Sequence, residues 1–217
     1  MSNNLYDKAN TRHLNKLKDL APEQVEAFNE FNKAVFLEGA LSRKEKEIIA
    51  VAIAHVTECP YCIDSHTRKA KKEDATLEEL VEAVFVVAGV EAGGAVTHST
   101  HIQNAQDPEA QDTLYARSNL KKLGTLSKNA PVGFKGYSNF SAASTKTGKL
   151  SAKFKEIIAV AVAHATQCPY CIDVHTKNAV KAGATNAELS EAVLVTSALL
   201  AGGAYAHLSN MIESFGE

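Results

Sequence analysis

The apolar positions of this chain recur every three to four residues, and no run rich in Val, Ile and Tyr alternates at period two. That period lays them along one side of a helix and argues against strands. Val25, Phe28, Phe31, Val35 and Phe36 share one face of a helix that Pro22 opens in its first turn. From Ile48 to Ala54 the side chains are apolar nearly all round, which predicts a buried helix. Ser42 opens it, with Glu45 at capping-box spacing. A third helix begins at Cys59-Pro60 and runs to about Lys72, near Asp74. A fourth follows the cap Thr76-x-x-Glu79 and carries Leu80, Val84 and Val87.

The same order then returns. A shift of 109 residues lays Leu41–Thr67 over Leu150–Thr176 without a gap, and 21 of the 27 positions are identical. Fainter matches extend outward: Leu5-Tyr6 with Leu114-Tyr115, Ala21-Pro22 with Ala130-Pro131, Phe31 with Phe140, Ala92–Ala95 with Ala201–Ala204, and His98 with His207. Self-similarity on this scale is a tandem duplication. It divides the chain into repeats at 1–108 and 109–217. The seam falls near Gln106–Gln111, where Asp107-Pro108 breaks a helix. In the second copy Gly133 and Gly136 weaken the first helix, Phe154 replaces the capping Glu, and Gly183 ends the third helix. The Ala-Gly-Gly-Ala elements predict a close helix–helix crossing; a phosphate loop would need a preceding strand.

With 217 residues, 45% hydrophobic and 22% charged, the chain can bury its own core as a soluble globular protein. A net charge of -2 argues against nucleic acid or an anionic membrane as partner. The opening MSNNLYDKAN has no apolar leader, and the run Ala192–Ala206, interrupted by Thr196, Ser197, Gly202 and Gly203, falls short of a membrane span. The expectation is a cytoplasmic protein, and in a reducing cytosol paired cysteines point to catalysis or metal rather than structural disulfides.

All four cysteines lie in two boxes, Cys59-Pro60-Tyr61-Cys62 and Cys168-Pro169-Tyr170-Cys171. Proline suits a first helical turn, so Cys59 and Cys168 fall at or beside an N-cap, with Cys62 and Cys171 one turn in. Residues three apart on a helix can bring two sulfurs together, and the helix N-terminus favours thiolate. His66 and His175 follow the second cysteines at i+4, where an imidazole can take a thiol proton. Glu47 and Glu156 stand twelve residues before the first cysteines. On one straight helix that is ~18 Å, so they reach the box only if the chain reverses near Thr57. A Glu on a buried apolar helix needs a polar partner, which the His and thiols would supply. The helix dipole favours the first cysteine as nucleophile and the His at i+4 the second. The second is preferred, because a dedicated base decides protonation more directly.

The spacing Glu-x11-Cys-x2-Cys-x3-His resembles that of the alkylhydroperoxidase D-like members of the carboxymuconolactone decarboxylase superfamily. The flanks, including the AHxTxCPYCIDxHT and AGGAYxH stretches, are similar to single-repeat peroxidase-like proteins linked to arsenosugar biosynthesis. The resemblance implies an all-α, alkylhydroperoxidase D-like helical fold in two tandem repeats. It implies a thiol-dependent peroxidase in which Cys62 and Cys171 attack a hydroperoxide and Cys59 and Cys168 resolve the sulfenic acid to a disulfide. His66, His175, Glu47 and Glu156 would relay the proton, partly through water. No cofactor or metal is implied. An external protein dithiol or small thiol would restore the dithiols. A homotrimer mimicking a hexamer of single repeats is expected, with apolar helices such as 192–206 at its interface. The chain departs from the well-studied branch by Tyr61 and Tyr170, where that branch has His.

Other readings stay open. One is a general dithiol–disulfide oxidoreductase acting on a protein or an arsenical. Another is a lactone decarboxylase, although such lyases do not depend on a CxxC. A zinc site could draw on Cys59, Cys62, His66 and His98. His55 and His164 read as core or helix-end residues, and His98 and His207 as pocket or interface residues. His13 and His101 read as surface residues, Asp64 and Asp173 as first-turn partners of the helix dipole. Tyr61 and Tyr170 read as the pocket rim, and Arg68–Lys72 as a solvated face.

Overall fold

Helices form wherever the three-to-four-residue period runs. The computed structural model describes residues 6–110 and 113–216; Leu5, used in the alignment above, and Gln111, which bounds the expected seam, lie outside them. The first repeat has a 3-10 segment Lys8–Lys16, then α1 (Leu17–Leu20), α2 (Pro22–Val35), α3 (Arg43–Val56), α4 (Pro60–Lys72), α5 (Leu77–His98) and α6 (Thr100–Gln106). The second has a 3-10 segment Arg117–Lys122, then α7 (Leu123–Asn129), α8 (Pro131–Thr145), α9 (Ala152–Ala165), α10 (Pro169–Lys181) and α11 (Asn186–Phe215). The described residues contain no strand.

Local chemistry sets the ends. Ser42 and Glu45 close a capping box on α3, as do Thr76 and Glu79 on α5 and Thr185 and Glu188 on α11. At α9 the Ser151 hydroxyl caps alone, since Phe154 offers only its amide. Between α3 and α4 the chain reverses within a few residues, because Glu58 takes φ 52° and Gln167 repeats this with 55°. A side-chain-bearing residue in that left-handed region costs roughly 1–2 kcal/mol. The packing of the cysteine helices against α3 and α9 offsets it. Asp74 and Gly183 take the same left-handed conformation after α4 and α10.

The core centres on α3 and α9. Ile49, Ile53, Ile157 and Ile158 are fully buried, within one hydrophobic cluster drawn from both repeats. Neither repeat covers its own central helix. α3 packs against α4 and α5 but also against α9 and α11, while α5 packs against α8, α9 and α10. α2 crosses to lie on α11, as α8 lies on α5. The predicted crossing at the glycines takes this form: Gly93 faces Tyr137 of α8, and its counterpart Gly202 faces Phe28 of α2. Phe28 also stacks on Tyr205 at 4.6 Å. Gly94 and Gly203 face open space instead, and the tightest approach between α5 and α8 is at Gly89, where a Cβ would lie 2.4 Å from Ser144 Oγ. Packing on α5 carries α8 through Gly133 and Gly136 at full length. The stretches Leu77–Gln106 and Asn186–Phe215 are long and apolar enough to cross a membrane, which the run-length reading missed; here they are core helices shared by both repeats.

Two carboxylates lock this exchange. Glu191 on α11 accepts from the amides of Ala40 (2.8 Å) and Leu41 (3.0 Å) in the loop before α3, and from Lys46 Nζ at 3.0 Å. Glu82 on α5 does the same for Lys149 (2.8 Å), Leu150 (2.9 Å) and Lys155 Nζ (2.9 Å) before α9. Gly39 and Gly148 make room, since a Cβ there would fall 2.3 and 2.2 Å from these carboxylate oxygens. Burial pushes the Glu82 carboxyl up, but the Leu150 and Lys149 amides and the Lys155 ammonium hold it down, at about 2 against 4.5. A depressed acid stabilises the fold fully above its unfolded value and loses that contribution as pH falls through the folded one. Thermal melts should therefore show stability falling between roughly pH 5 and pH 2, by less than the full shift implies because solvent screens this partly exposed carboxylate. Glu82→Gln should be less stable at neutral pH and flatter over that acid range; an unchanged acid profile would contradict the role.

Candidate active site

The short reversal turns α4 back alongside α3, and α10 alongside α9. Glu47, buried on α3, then meets His66 of α4, with 2.6 Å between Oε2 and Nδ1. Glu156 meets His175 at 2.7 Å in the same way. Each carboxylate thus has the polar partner that its burial demands. Phe36 stacks on His66, with centroids 5.5 Å apart. In the second repeat Asn178 donates instead to Glu156 at 3.4 Å. Glu47 also borders an open cavity of about 640 Å³, rimmed by Arg43, Lys69 and Lys72.

The cysteines sit at the helix starts. Cys59 and Cys168 are the N-caps of α4 and α10, and each sulfur accepts from the amide of the second cysteine at 3.3 Å. Cys59 and Cys62 form a disulfide with Cα atoms 5.3 Å apart, while Cys168 and Cys171 are free and buried. A hydrogen bond from the Cys171 thiol holds the Cys168 thiol down at about 5 against 9.0. Burial opposes this; the Cys171 amide, the Thr97 hydroxyl and His98 assist it. Cys171 is pushed up, first because it gives its hydrogen to Cys168 and then by burial. Within the pair the Cys168 thiol is thus held below its usual range and the Cys171 thiol above it, while the helix dipole favours charge on the first cysteine and the His spacing favours the second. Among the described residues, neither His66 nor His175 hydrogen-bonds a sulfur directly.

Each box is roofed by the other repeat. Thr97 Oγ1 of α5 lies 3.8 Å from Cys168 Sγ. His98 packs edge-on against Tyr170 at 6.0 Å, and His207 of α11 packs likewise against Tyr61 at 6.0 Å. Tyr61 and Tyr170 are therefore buried floor residues rather than a rim. The Tyr170 hydroxyl donates to Leu114 O at 3.1 Å and accepts from Asn119 Nδ2 at 2.9 Å.

Several expectations change. His101 packs against His98, Tyr115 and Tyr170, and its Nε2 is buried, as is that of His13, so neither is a simple surface residue. Asp64 and Asp173 lie beyond the first turn and pair with side chains instead. Asp64 binds Lys8 and Arg68; Asp173 binds Arg117 at 2.6 Å and Lys177 at 2.6 Å, tying the 3-10 segments to the cysteine helices. The zinc set of Cys59, Cys62, His66 and His98 is not brought together, because His98 serves the box at Cys168. No group of three or more potential metal ligands occurs among the described residues. His55 and His164 end their helices, bonding the carbonyls of Val51 (2.8 Å) and Val160 (2.7 Å). Thr97 and Asn119 were not foreseen. The recurrence of Asn10 as Asn119 under the shift of 109 was a usable signal; Thr97 had none, since its counterpart is Ala206.

Paired cysteine helices packed on buried central helices, in two copies, define an alkylhydroperoxidase D-like all-α protein. Residues 22–105 and 131–213 each match the carboxymuconolactone decarboxylase family, and the chain belongs to that family. "Uncharacterized protein 4 in cox locus" of Paracoccus denitrificans is 47% identical over 74 residues, 34% of this chain and 67% of that protein. An uncharacterised protein of Cupriavidus necator is 35% identical over 83 residues, covering 38% of this chain and 72% of its own length. Each alignment has the extent of one repeat. A crystal structure from Burkholderia xenovorans, described as a "putative gamma-carboxymuconolactone decarboxylase subunit", superposes with a TM-score of 0.67 at 23% identity. It covers 93% of this chain and 89% of its own, a likeness of fold.

Tyr170→Phe removes the link from α10 to Leu114 and Asn119 and leaves the Asn119 amide short of a partner. Denaturant unfolding should register a loss of about 1–3 kcal/mol. A loss near zero would show that the hydroxyl does not hold the segment.

Proposed function

We propose that this protein is a thiol-dependent peroxidase that reduces alkyl hydroperoxides through a dithiol–disulfide cycle in each box. One observation carries the reading. Both cysteine pairs stand at a helix N-terminus one helical turn from an imidazole held by a buried carboxylate. Such a pair can accept the thiol proton and return it to the leaving alkoxide, with water spanning the remaining gap. The hydroperoxide gains two electrons and becomes an alcohol and water; the dithiol loses two and closes to a disulfide. An external protein dithiol or small thiol then reopens it. A reducing compartment such as the cytoplasm suits this cycle. A lyase, as the structural neighbour's description suggests for that protein, would make no use of two dithiols.

Mass spectrometry of the reduced protein after one equivalent of an alkyl hydroperoxide should find intramolecular disulfides in both boxes. The double variant Cys62→Ser, Cys171→Ser should lose hydroperoxide consumption with a dithiol donor; survival of that activity would sink the assignment. Glu47→Gln with Glu156→Gln should keep the fold but slow turnover by ~10²–10⁴-fold. Dithiol exchange with a protein disulfide, without hydroperoxide consumption, would favour a general oxidoreductase.

We also propose a homotrimer. Exposed apolar side chains on the long helices support it: Leu77, Val81 and Phe85 on α5, and Leu194 and Leu200 on α11. Light scattering should give three chains per particle; a monomer would refute this assembly.

A further inference from the structure

The two imidazole–carboxylate pairs differ in what lies beside them. Glu47 borders the open cavity of about 640 Å³, which α2, the loop after it, α3 and α4 enclose. The repeats diverge at the walls of this cavity. Under the shift of 109 residues Lys33, Phe36, Arg43 and Lys69 become Ala142, Thr145, Ala152 and Asn178, while the Glu and His of the pair are kept. The exchanged residues act together. Phe36 stacks on His66 at 5.5 Å, and Lys69 stands over the same ring, its Nζ 5.8 Å from the centroid. In the second repeat Asn178 bonds the carboxylate of the pair instead, at 3.4 Å.

The charges around the cavity are answered unevenly. Its carboxylates are all engaged: Glu47 with His66 at 2.6 Å, Glu73 with the Arg43 guanidinium at 3.5 Å, and Glu38 with the Arg43 amide at 3.3 Å. Its ammonium groups are not. Among the described residues, Lys33, Lys69 and Lys72 form no ion pair with a carboxylate. Beside them Phe36 and Leu37 give the cavity an apolar wall, and the Leu37 side chain is 59% exposed. A concavity of this volume is of the size that holds a small molecule. Three unanswered positive charges next to an aromatic and an aliphatic side chain suit a ligand with one negative end and an apolar body.

We infer that the first repeat holds a binding site for a small organic carboxylate in this cavity. The carboxylate lies among Lys33, Lys69 and Lys72, and the alkyl or aryl body rests on Phe36 and Leu37. The site goes beyond the peroxidase reading, which does not require it. Its occupant places a negative charge beside the Glu47–His66 pair. The Glu156–His175 pair has Ala142, Thr145 and Asn178 where the first has Lys33, Phe36 and Lys69, so the occupant touches one box and leaves the other as it is.

The test is a titration of the whole reduced protein with octanoate at neutral pH and low salt, read by calorimetry. One octanoate should bind per chain, with a Kd of ~1 mM or tighter. Octanamide has the same chain without the charge, and inorganic phosphate has charge without the chain; each should bind at least ~10-fold more weakly. With histidine labelled for NMR, octanoate should shift the ring resonances of His66 and leave those of His175 in place. Lys33→Ala with Lys69→Asn installs the second repeat's residues at two exposed positions and should weaken binding by ~10-fold. The reverse exchange, Ala142→Lys, Thr145→Phe and Asn178→Lys, should raise the number bound per chain toward two. The inference is overturned if octanoate does not bind, or if octanamide or phosphate binds as well as octanoate. It is equally overturned if His175 moves as much as His66, or if the double lysine variant binds unchanged. No peroxide enters these measurements. Hydroperoxide consumption without octanoate binding would thus defeat only this site, and binding without consumption only the peroxidase reading.

Discussion

A helix with no polar face must be covered on every side. α3 and α9 are such helices, and the cover comes from both repeats: α5 and α11 cross over, α2 and α8 follow them, and α3 meets α9 directly. The duplication is therefore built into the core and not simply appended to it. Two independently folded copies would each leave an apolar flank of the central helix in water, at ~25 cal/mol per Å² exposed. Glu82 and Glu191 hold the exchange in register, each pinning the loop ahead of the other repeat's central helix.

The candidate site is a consequence of that exchange. A central helix supplies the carboxylate, the next helix supplies the dithiol and imidazole, and the far repeat's long helix closes the roof. Because the roof arrives in trans, near-identical boxes acquire different neighbours. Twenty-one of 27 positions match across the two box regions, yet Thr97 faces one box and Ala206 comes with the other. Duplication gives a chain two copies of one site and then allows the covering residues to diverge without disturbing either dithiol.

Burial has two opposite effects on the acids and thiols. It raises the cost of charge on Glu47, Glu156 and the sulfurs, which are all buried. It also strengthens each hydrogen bond that answers the charge. In the reduced box the balance falls toward charge on Cys168 and away from Cys171. The Cys171 amide and the Thr97 hydroxyl both approach the first sulfur. The i+4 histidine turns to its glutamate.

The sequence by itself determined the helices, their caps, the duplication and the membership of Glu47, His66 and their counterparts in one site. These are local facts: a 3.6-residue period, an N-cap proline and a buried acid in need of a partner are legible along the chain. Only the tertiary structure decided which residues roof each box. Thr97 touches Cys168 across 71 positions, and His101 packs on Tyr170 in a repeat other than its own. Such neighbours are set by how helices cross, and a crossing leaves no periodic trace in either strand of the contact. The same reason explains why Asp64, Asp173 and the two box tyrosines were read as local residues when they in fact bind distant segments.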